Sequence, residues 1–419
     1  MLVANNSKGD VISLTSNWSR EALLDLRKHE AFSCPSCKQV VQMKIGTMKI
    51  PHFAHKARTM CDSFSEGESQ YHLKGKLQLY DWFVRQGYSP KLEPYFSLLK
   101  QRPDIYVEMK NQKYMIEYQC ATIEKSRFIE RNHHYINHQF KTLWILGANR
   151  FKRLSHHRFS INSFDWQFVK LVHSRPTLLY YCSLSEQFLF LHNIIPLNGN
   201  TVYANLDIQT PSSYAITHHI NKIEYSNSVM LEWLRLKRSW RLTPGNRKAP
   251  QIKKLLNYLY HQKIYPSLLP SEVGIPLPSM YWIQTPAMIW QAWILLEFIN
   301  KKGISSSFTF KETYDYFNKK AQAENFIIRD LSFIENSHYG AAILEYLLSL
   351  VTLGIVSTPD KFTFIKEKNV LFPLHIEEAL QFDETTLHVV SKKIKDNDFV
   401  SRNSIKGKLS KWGINNNGR

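Results

Sequence analysis

A mixed α/β protein of several domains is what the sequence predicts, on three observations. Paired cysteines and histidines flank a short alternating run near the start, helix and strand periodicities alternate through residues 65–155, and helical spacing dominates from residue 226. The chain has 419 residues, 43% hydrophobic and 13% aromatic, enough to bury more than one core. Its formal net charge is +19, from 54 Lys+Arg against 35 Asp+Glu. A field of that sign attracts polyanions, and nucleic acid is the first partner it favours. The opening "MLVANNSKGDVISL" has no basic segment leading into an apolar core. The most apolar later stretch, residues 289–299, contains Gln291 and Glu297 and falls short of the roughly 20 residues of a spanning helix. The reading is a cytoplasmic protein with no membrane span. There is no internal repeat, P-loop or Gly-rich dinucleotide fingerprint, so energy-driven work falls to a partner.

The first element, residues 1–64, reads as a zinc-ribbon-like module. Cys34-x-x-Cys37 is followed after 14 residues by His52-x-x-His55 and then by Cys61. Thiolate and imidazole together suit a tetrahedral Zn²⁺, and short x-x turns let two ligands converge. The run "VVQMKIGTMKI" alternates and turns at Gly46, as a hairpin between two knuckles does. The expected structural zinc ligands are Cys34, Cys37, His52 and His55, with Cys61 as the alternative.

The second element, residues 65–155, carries the candidate chemistry. "EGESQYHLKGKLQLYDWFV" has helical apolar spacing, with Glu68, His72 and Lys76 in one polar stripe at i, i+4 and i+8. "RPDIYVEMKNQKYMIEYQC" reads as a hairpin turning near "KNQK", with Asp104 at the head of one strand. Alternation puts Glu117 and Gln119 on one face of the other strand, near Asp104. Clustered carboxylates repel unless a cation lies between them, and Mg²⁺ bound by carboxylates and substrate phosphate is the natural guest. Such an ion polarises a phosphodiester and lowers the pKa of an attacking water. A helix over 124–139, with Arg131 and Tyr135 at i, i+4 facing DNA or the active edge, precedes a strand over 142–147.

This order resembles the PD-(D/E)xK nuclease superfamily, whose restriction-endonuclease-like core runs αβββαβ. Pro103-Asp104 matches "PD", and Glu117-Tyr118-Gln119 matches "(D/E)xK" with glutamine for lysine. Gln119 supplies only a neutral hydrogen bond, so proton handling shifts to Lys76 or His72. The ordered set "CPSC", "HFAH", "ESQYHLKGK", "RPD", "IEYQC" and "ERNHHYINHQFKTLWILG" is similar to the competence protein CoiA family over residues 34–147, about a quarter of the chain. The resemblance implies a protein of natural transformation acting after DNA uptake, with DNA, single-stranded or branched, a recombinase and other competence proteins as partners. The implied activity is Mg²⁺- or Mn²⁺-dependent DNA cleavage: Glu68, Asp104 and Glu117 hold the ion, Gln119 orients water or phosphate, and His72 or Lys76 assists. The alternative is a DNA-binding accessory that cuts little and helps a recombinase on incoming single strands.

Residues 156–225 read as a small antiparallel meander, with alternating apolar runs from 176 to 208. Residues 226–390 read as a helical domain. Between Arg235 and Lys254 lie eight basic residues and no acid, among them Arg235, Lys237, Arg238, Arg241, Lys253 and Lys254. Interleaved Trp233, Trp240 and Tyr258 suit stacking on single-stranded bases. A helix and hairpin over 340–367, with "FTFKETYDYFNKKA" before them, suggest a winged-helix element, and residues 391–419 a basic tail.

Overall fold

The computed structural model describes residues 1–15, 17–56, 61, 68–214, 227–243, 250–334, 338–360 and 362–395. The chain divides into two compact units, residues 1–151, 178–191 and 206–219 forming the first and 152–177, 192–205 and 220–419 the second.

The first unit opens with strands β1 (Val3–Asn5) and β2 (Val11–Ser13), helix α1 (Arg20–His29), and strands β3 (Phe32–Ser33), β4 (Val40–Lys44) and β5 (His52–His55), in sheet order β2-β1-β3-β4-β5. β4 alternates as its sequence requires: Val41 and Met43 are buried while Val40, Gln42 and Lys44 are exposed. Next come helix α2 (Gln70–Arg85), strands β6 (Lys91–Leu92), β7 (Ile105–Met109) and β8 (Gln112–Gln119), helix α3 (Lys125–Asn137) and strand β9 (Lys141–Gly147). β6, β7 and β8 pair antiparallel, and α3 carries the chain across to β9, which lies parallel to β8. Lys110 and Asn111, at φ 47° and 59°, make the tight turn between β7 and β8, the left-handed pair that a two-residue hairpin favours. Gly75 of α2 faces Tyr118 of β8 so closely that a Cβ there would lie 2.2 Å from the Tyr118 ring, so only glycine lets the helix seat on the strand.

Strands β10 (Lys152–Arg153), β11 (Arg158–Ser160), β12 (Lys170–Val172), β13 (Arg175–Cys182), β14 (Gln187–Asn198) and β15 (Thr201–Gln209) follow, the last three in the segment expected to alternate. Within the first unit β13 pairs parallel with β9 and antiparallel with β14. Within the second, β11 pairs with β10 and β15, and β12 with the first residues of β13.

The second unit continues with helices α4 (Asn227–Leu242), α5 (Pro250–His261) and α6 (Ala287–Ala292), the last running on as a π-helical stretch, Trp293–Ile299. Strand β16 (Ser307–Thr309), helices α7 (Phe310–Ala323) and α8 (Gly340–Thr352), strands β17 (Val356–Ser357) and β18 (Thr363–Lys366) and helix α9 (Ile376–Lys395) complete it, with sheet order β16-β18-β17. A capping box of Thr309 and Glu312 starts α7. α8 is buried at ten of its thirteen positions, which withdraws it from any groove-reading role. Among the described residues no helix is long and apolar enough to cross a membrane.

The expectation of a DNA-stacking basic helix is corrected here. Trp233 and Trp240 are core residues, and Lys237 and Arg241 lie buried with their charges on Asp383 of α9, at 2.8 Å and 2.6 Å. Arg241 also donates to Ser267 O and Leu269 O, and Lys237 to Ser271 O. A basic side chain with its donors committed inside a core cannot neutralise a phosphate. Lys254 reaches Ala323 O and stands 3.8 Å from Glu324, and Arg235 pairs with Glu232, while Arg238 and Lys253 remain exposed. Arg247, Lys248 and most of the basic tail lie outside the described residues.

Candidate metal centres and their families

The thiol cluster is the first centre. Ligand atoms of Cys34, Cys37, His55 and Cys61 lie within 4.8 Å of one another, and all five cysteines of the chain are free of disulfides. Cys37 Sγ is 3.3 Å from His55 Nε2, near the ~3.6 Å that Zn–S and Zn–N bonds at a tetrahedral angle imply. Burial, with Cys61 and Cys34 beside it, pushes the Cys37 thiol up to about 11, so without a cation this thiol stays protonated. His52, the expected fourth ligand, is not in the group and Cys61 takes its place. The reason is local: both histidines sit on the extended strand β5, where residues three apart face opposite ways, and His52 Nδ1 lies 2.9 Å from Ile50 O.

The carboxylate cluster is the second. Ser69 caps α2 by accepting from His72 N, so Glu68 sits just before the helix while His72 and Lys76 rise from its first two turns. Asp104, one residue before β7, accepts from Tyr118 N of β8 at 2.9 Å. Lys76 is the hub, only 1% exposed, with its ammonium on Glu68 and Glu93 and 3.3 Å from Asp104 Oδ1. His72 Nδ1 lies 3.6 Å from Glu68 and its Nε2 3.5 Å from Asp104, and Nε2 has no hydrogen-bond partner among the described residues. The α-amino group of Met1 also meets Glu68, at 2.5 Å. Burial opposes ionisation of Glu68 and Asp104, but the Lys76 ammonium outweighs it and holds both carboxyls well below the usual range. The same three carboxylates raise Lys76 against its burial.

Glu68, His72 and Asp104 present ligand atoms within 4.8 Å of one another and are 10%, 20% and 14% exposed, against 1% for the lysine. Two carboxylates and an imidazole make a mixed oxygen and nitrogen set, softer than the all-oxygen shell Mg²⁺ demands. Glu117 does not join this group. Its Oε1 accepts from Tyr135 at 2.6 Å and meets Arg131 Nη2 at 2.9 Å. Burial, opposed by Arg131 and reinforced by Asp104, raises it to about 7. Gln119 is turned away as well, its Nε2 donating to Ala121 O at 2.6 Å. Tyr135 is fully buried, so it serves Glu117 and not a nucleic acid, and Arg131 also donates to Arg102 O.

Sequence reasoning missed Glu93. It is buried, bound to Lys76 and accepts from Leu2 N at 2.9 Å. The available signal was that it is the single acid between Asp81 and Asp104. It also passed over Arg102, buried 3.9 Å from Glu93.

Fold and clusters together define a class: a mixed α/β protein in which one helix and two neighbouring strands gather carboxylates around a buried lysine, preceded by a thiol-rich candidate metal centre. Comparison with known proteins supplies the family. Residues 15–64, 68–224 and 230–380 match the family models described as the N-terminal domain, the nuclease-like domain and the C-terminal domain of Competence protein CoiA. Competence protein CoiA of Bacillus subtilis (strain 168) is 30% identical over 346 residues, 81% of this chain and 90% of that protein. The chain belongs to the competence protein CoiA family. No solved structure matches it. All of the clustered carboxylates, His72 and Lys76 fall within the stretch matched as nuclease-like.

Proposed function

We propose that this chain is a metal-dependent DNA nuclease of natural transformation, acting in the cytoplasm on DNA or recombination intermediates after uptake. The observation that carries the reading is the convergence of Glu68, His72 and Asp104, whose two carboxylates meet the Lys76 ammonium. The order α2, β6, β7, β8, α3, β9 supports a restriction-endonuclease-like core, with Lys76 standing in for the lysine absent at Gln119. Glu68, His72 and Asp104 would hold a divalent ion, which when bound supplies positive charge to a phosphodiester and acidifies water. Lys76 keeps Glu68 and Asp104 ionised and fixed, so they are ready as ligands without reorganisation. His72 would add an imidazole nitrogen to the set, its Nε2 lying 3.5 Å from Asp104. Arg131 and Tyr135 fix Glu117 behind the site. The Cys34, Cys37, His55, Cys61 group would hold a structural zinc that folds the N-terminal module, having four protein ligands and no open position. The β16–β18 sheet with α7 and α8 follows a winged-helix order, and the burial of α8 argues against groove reading by that helix.

The test is purified protein with labelled single-stranded, duplex and branched DNA, with and without Mn²⁺ or Mg²⁺. Cutting should require the ion and fall by at least about a hundredfold in Asp104→Ala and His72→Ala while DNA binding persists. No cutting under any ion, or cutting indifferent to Asp104→Ala, would sink the enzyme reading. The second reading, a DNA-binding accessory to a recombinase, draws on the engagement of Glu117 by Arg131 and Tyr135 and on Gln119 turned to Ala121.

A further inference from the structure

Beside the carboxylate cluster, at the β6–β7 edge of the first unit, lies a cavity of about 690 Å³ that the cluster does not use. Its lining includes Tyr88, Lys91, Tyr95, Phe96, Tyr106 and Glu108: four rings, one cation and one carboxylate. The volume is in the range of small-ligand sites, roughly 300–1,000 Å³. The walls are built from the cluster's own elements. Glu93 has a left-handed backbone, φ 45°, held by its N–H on Asp104 O and its carboxylate on Lys76. That bend directs Pro94, Tyr95 and Phe96 into the cavity wall. Along β7, Asp104, Tyr106 and Glu108 share one face, so Tyr106 and Glu108 follow the candidate ligand by about 7 and 14 Å.

Two of the rings are fixed from behind. Phe96 packs edge-on against Tyr106 at 5.4 Å and Phe140 at 5.5 Å, and Tyr106 belongs to a core with Leu99, Met115 and Tyr135. Tyr88 and Tyr95 are partly exposed, and Lys91 and Glu108 are exposed. The Tyr106 hydroxyl donates to Glu108 Oε1, and burial with Glu108 beside it raises that hydroxyl to about 12, so it remains a donor. Glu108 keeps its second oxygen for another donor.

We propose that this cavity is a subsite for one unpaired nucleobase of the DNA, with cytosine preferred over thymine. It rests on the reading that the chain acts on DNA. A base freed from a duplex has two open faces for the tyrosine rings, Lys91 meets a backbone phosphate, and Glu108 accepts from the cytosine N4 amino group. Thymine offers an acceptor at the same place and is repelled. A base inside a duplex is stacked on both sides and cannot enter. A cationic side chain of a protein would also fit rings and a carboxylate, but Lys91 at the cavity opposes it.

The experiment is fluorescence anisotropy on the full chain in a chelator, with short oligo-dC, oligo-dT, a duplex and an arginine-rich peptide. Oligo-dC should bind more tightly than oligo-dT. Tyr95→Ala should weaken single-strand binding about 5- to 150-fold and leave duplex binding unchanged, with Tyr95→Phe restoring it. Glu108→Ala should abolish the preference for dC. Equal affinity for dC and dT, a Tyr95→Ala loss shared by the duplex, or displacement of oligo-dC by the peptide in a Tyr95-dependent way overturns the subsite. Binding in chelator is independent of cutting, so loss of cleavage with the base preference intact sinks the nuclease reading alone. Cleavage without the preference sinks the subsite alone.

Discussion

Replacing Lys76 by methionine keeps the length of a side chain buried in α2 and deletes its charge. In the folded chain that ammonium contacts Glu68 and Glu93 and lies 3.3 Å from Asp104 Oδ1, with 1% of the side chain exposed. Removing one partner of a buried ion pair costs about 3–5 kcal/mol, because the other charge is left without compensation. Here three carboxylates lose their common cation, but the Met1 α-amino group stays on Glu68 and Arg102 stays 3.9 Å from Glu93, so the cost should sit within that range and not multiply. Glu93→Gln removes one of the stranded charges. The Lys76→Met, Glu93→Gln double variant should therefore be less destabilised than the sum of the singles by about 1–3 kcal/mol. Because a chain of two units does not unfold in one step, the measurement is native-state hydrogen exchange on peptides covering residues 70–85. A loss below about 1 kcal/mol in Lys76→Met, or strictly additive singles, would refute the reasoning that this lysine neutralises the cluster.

Two further outcomes follow from the geometry. Zinc measured by release to a chromogenic chelator should be one equivalent in the wild type, retained in His52→Ala and lost in Cys61→Ser; the reverse pattern would overturn the ligand assignment. In the second unit, burial lowers His338 to about 4, and its Nδ1 accepts from Gly340 N at the start of α8. The folded state thus disfavours the proton: its stability is fully present above the unfolded value near 6.5 and declines as pH falls through 4, by about 2 kcal/mol after allowing for partial exposure. Protection free energies from hydrogen exchange on peptides covering residues 338–352 at pH 7 and pH 4.5 should show a larger drop in the wild type than in His338→Gln, and equal drops would count against it.

Much of the nuclease-like stretch was legible because its signals are local. The 3.6 spacing of α2, the apolar runs of β7 and β8 and the turn at Lys110-Asn111 each announce themselves over a few residues. So does Asp104, placed at the head of a strand after a proline. What failed depended on faces and on distant partners. His52-x-x-His55 has ligand spacing, but the spacing is useful only in a turn, and the chain is extended there. Glu117 and Gln119 do share a face in the alternation, yet Gln119 ends the strand and bonds the next turn, while α3 supplies Arg131 and Tyr135 to Glu117. The basic count along α4 gave no hint that Asp383, 142 residues from Arg241, would claim two of its charges.

That last contact ties assembly to the order of synthesis. At ribosomal speeds of roughly 5–20 residues per second, the partner of Arg241 and Lys237 leaves the ribosome about 7–30 seconds after they do. Until then two cations destined for the interior lack the carboxylate that contacts both of them in the finished fold. The pairing that buries these two cations therefore becomes possible only once α9, the last of the described helices, has been made.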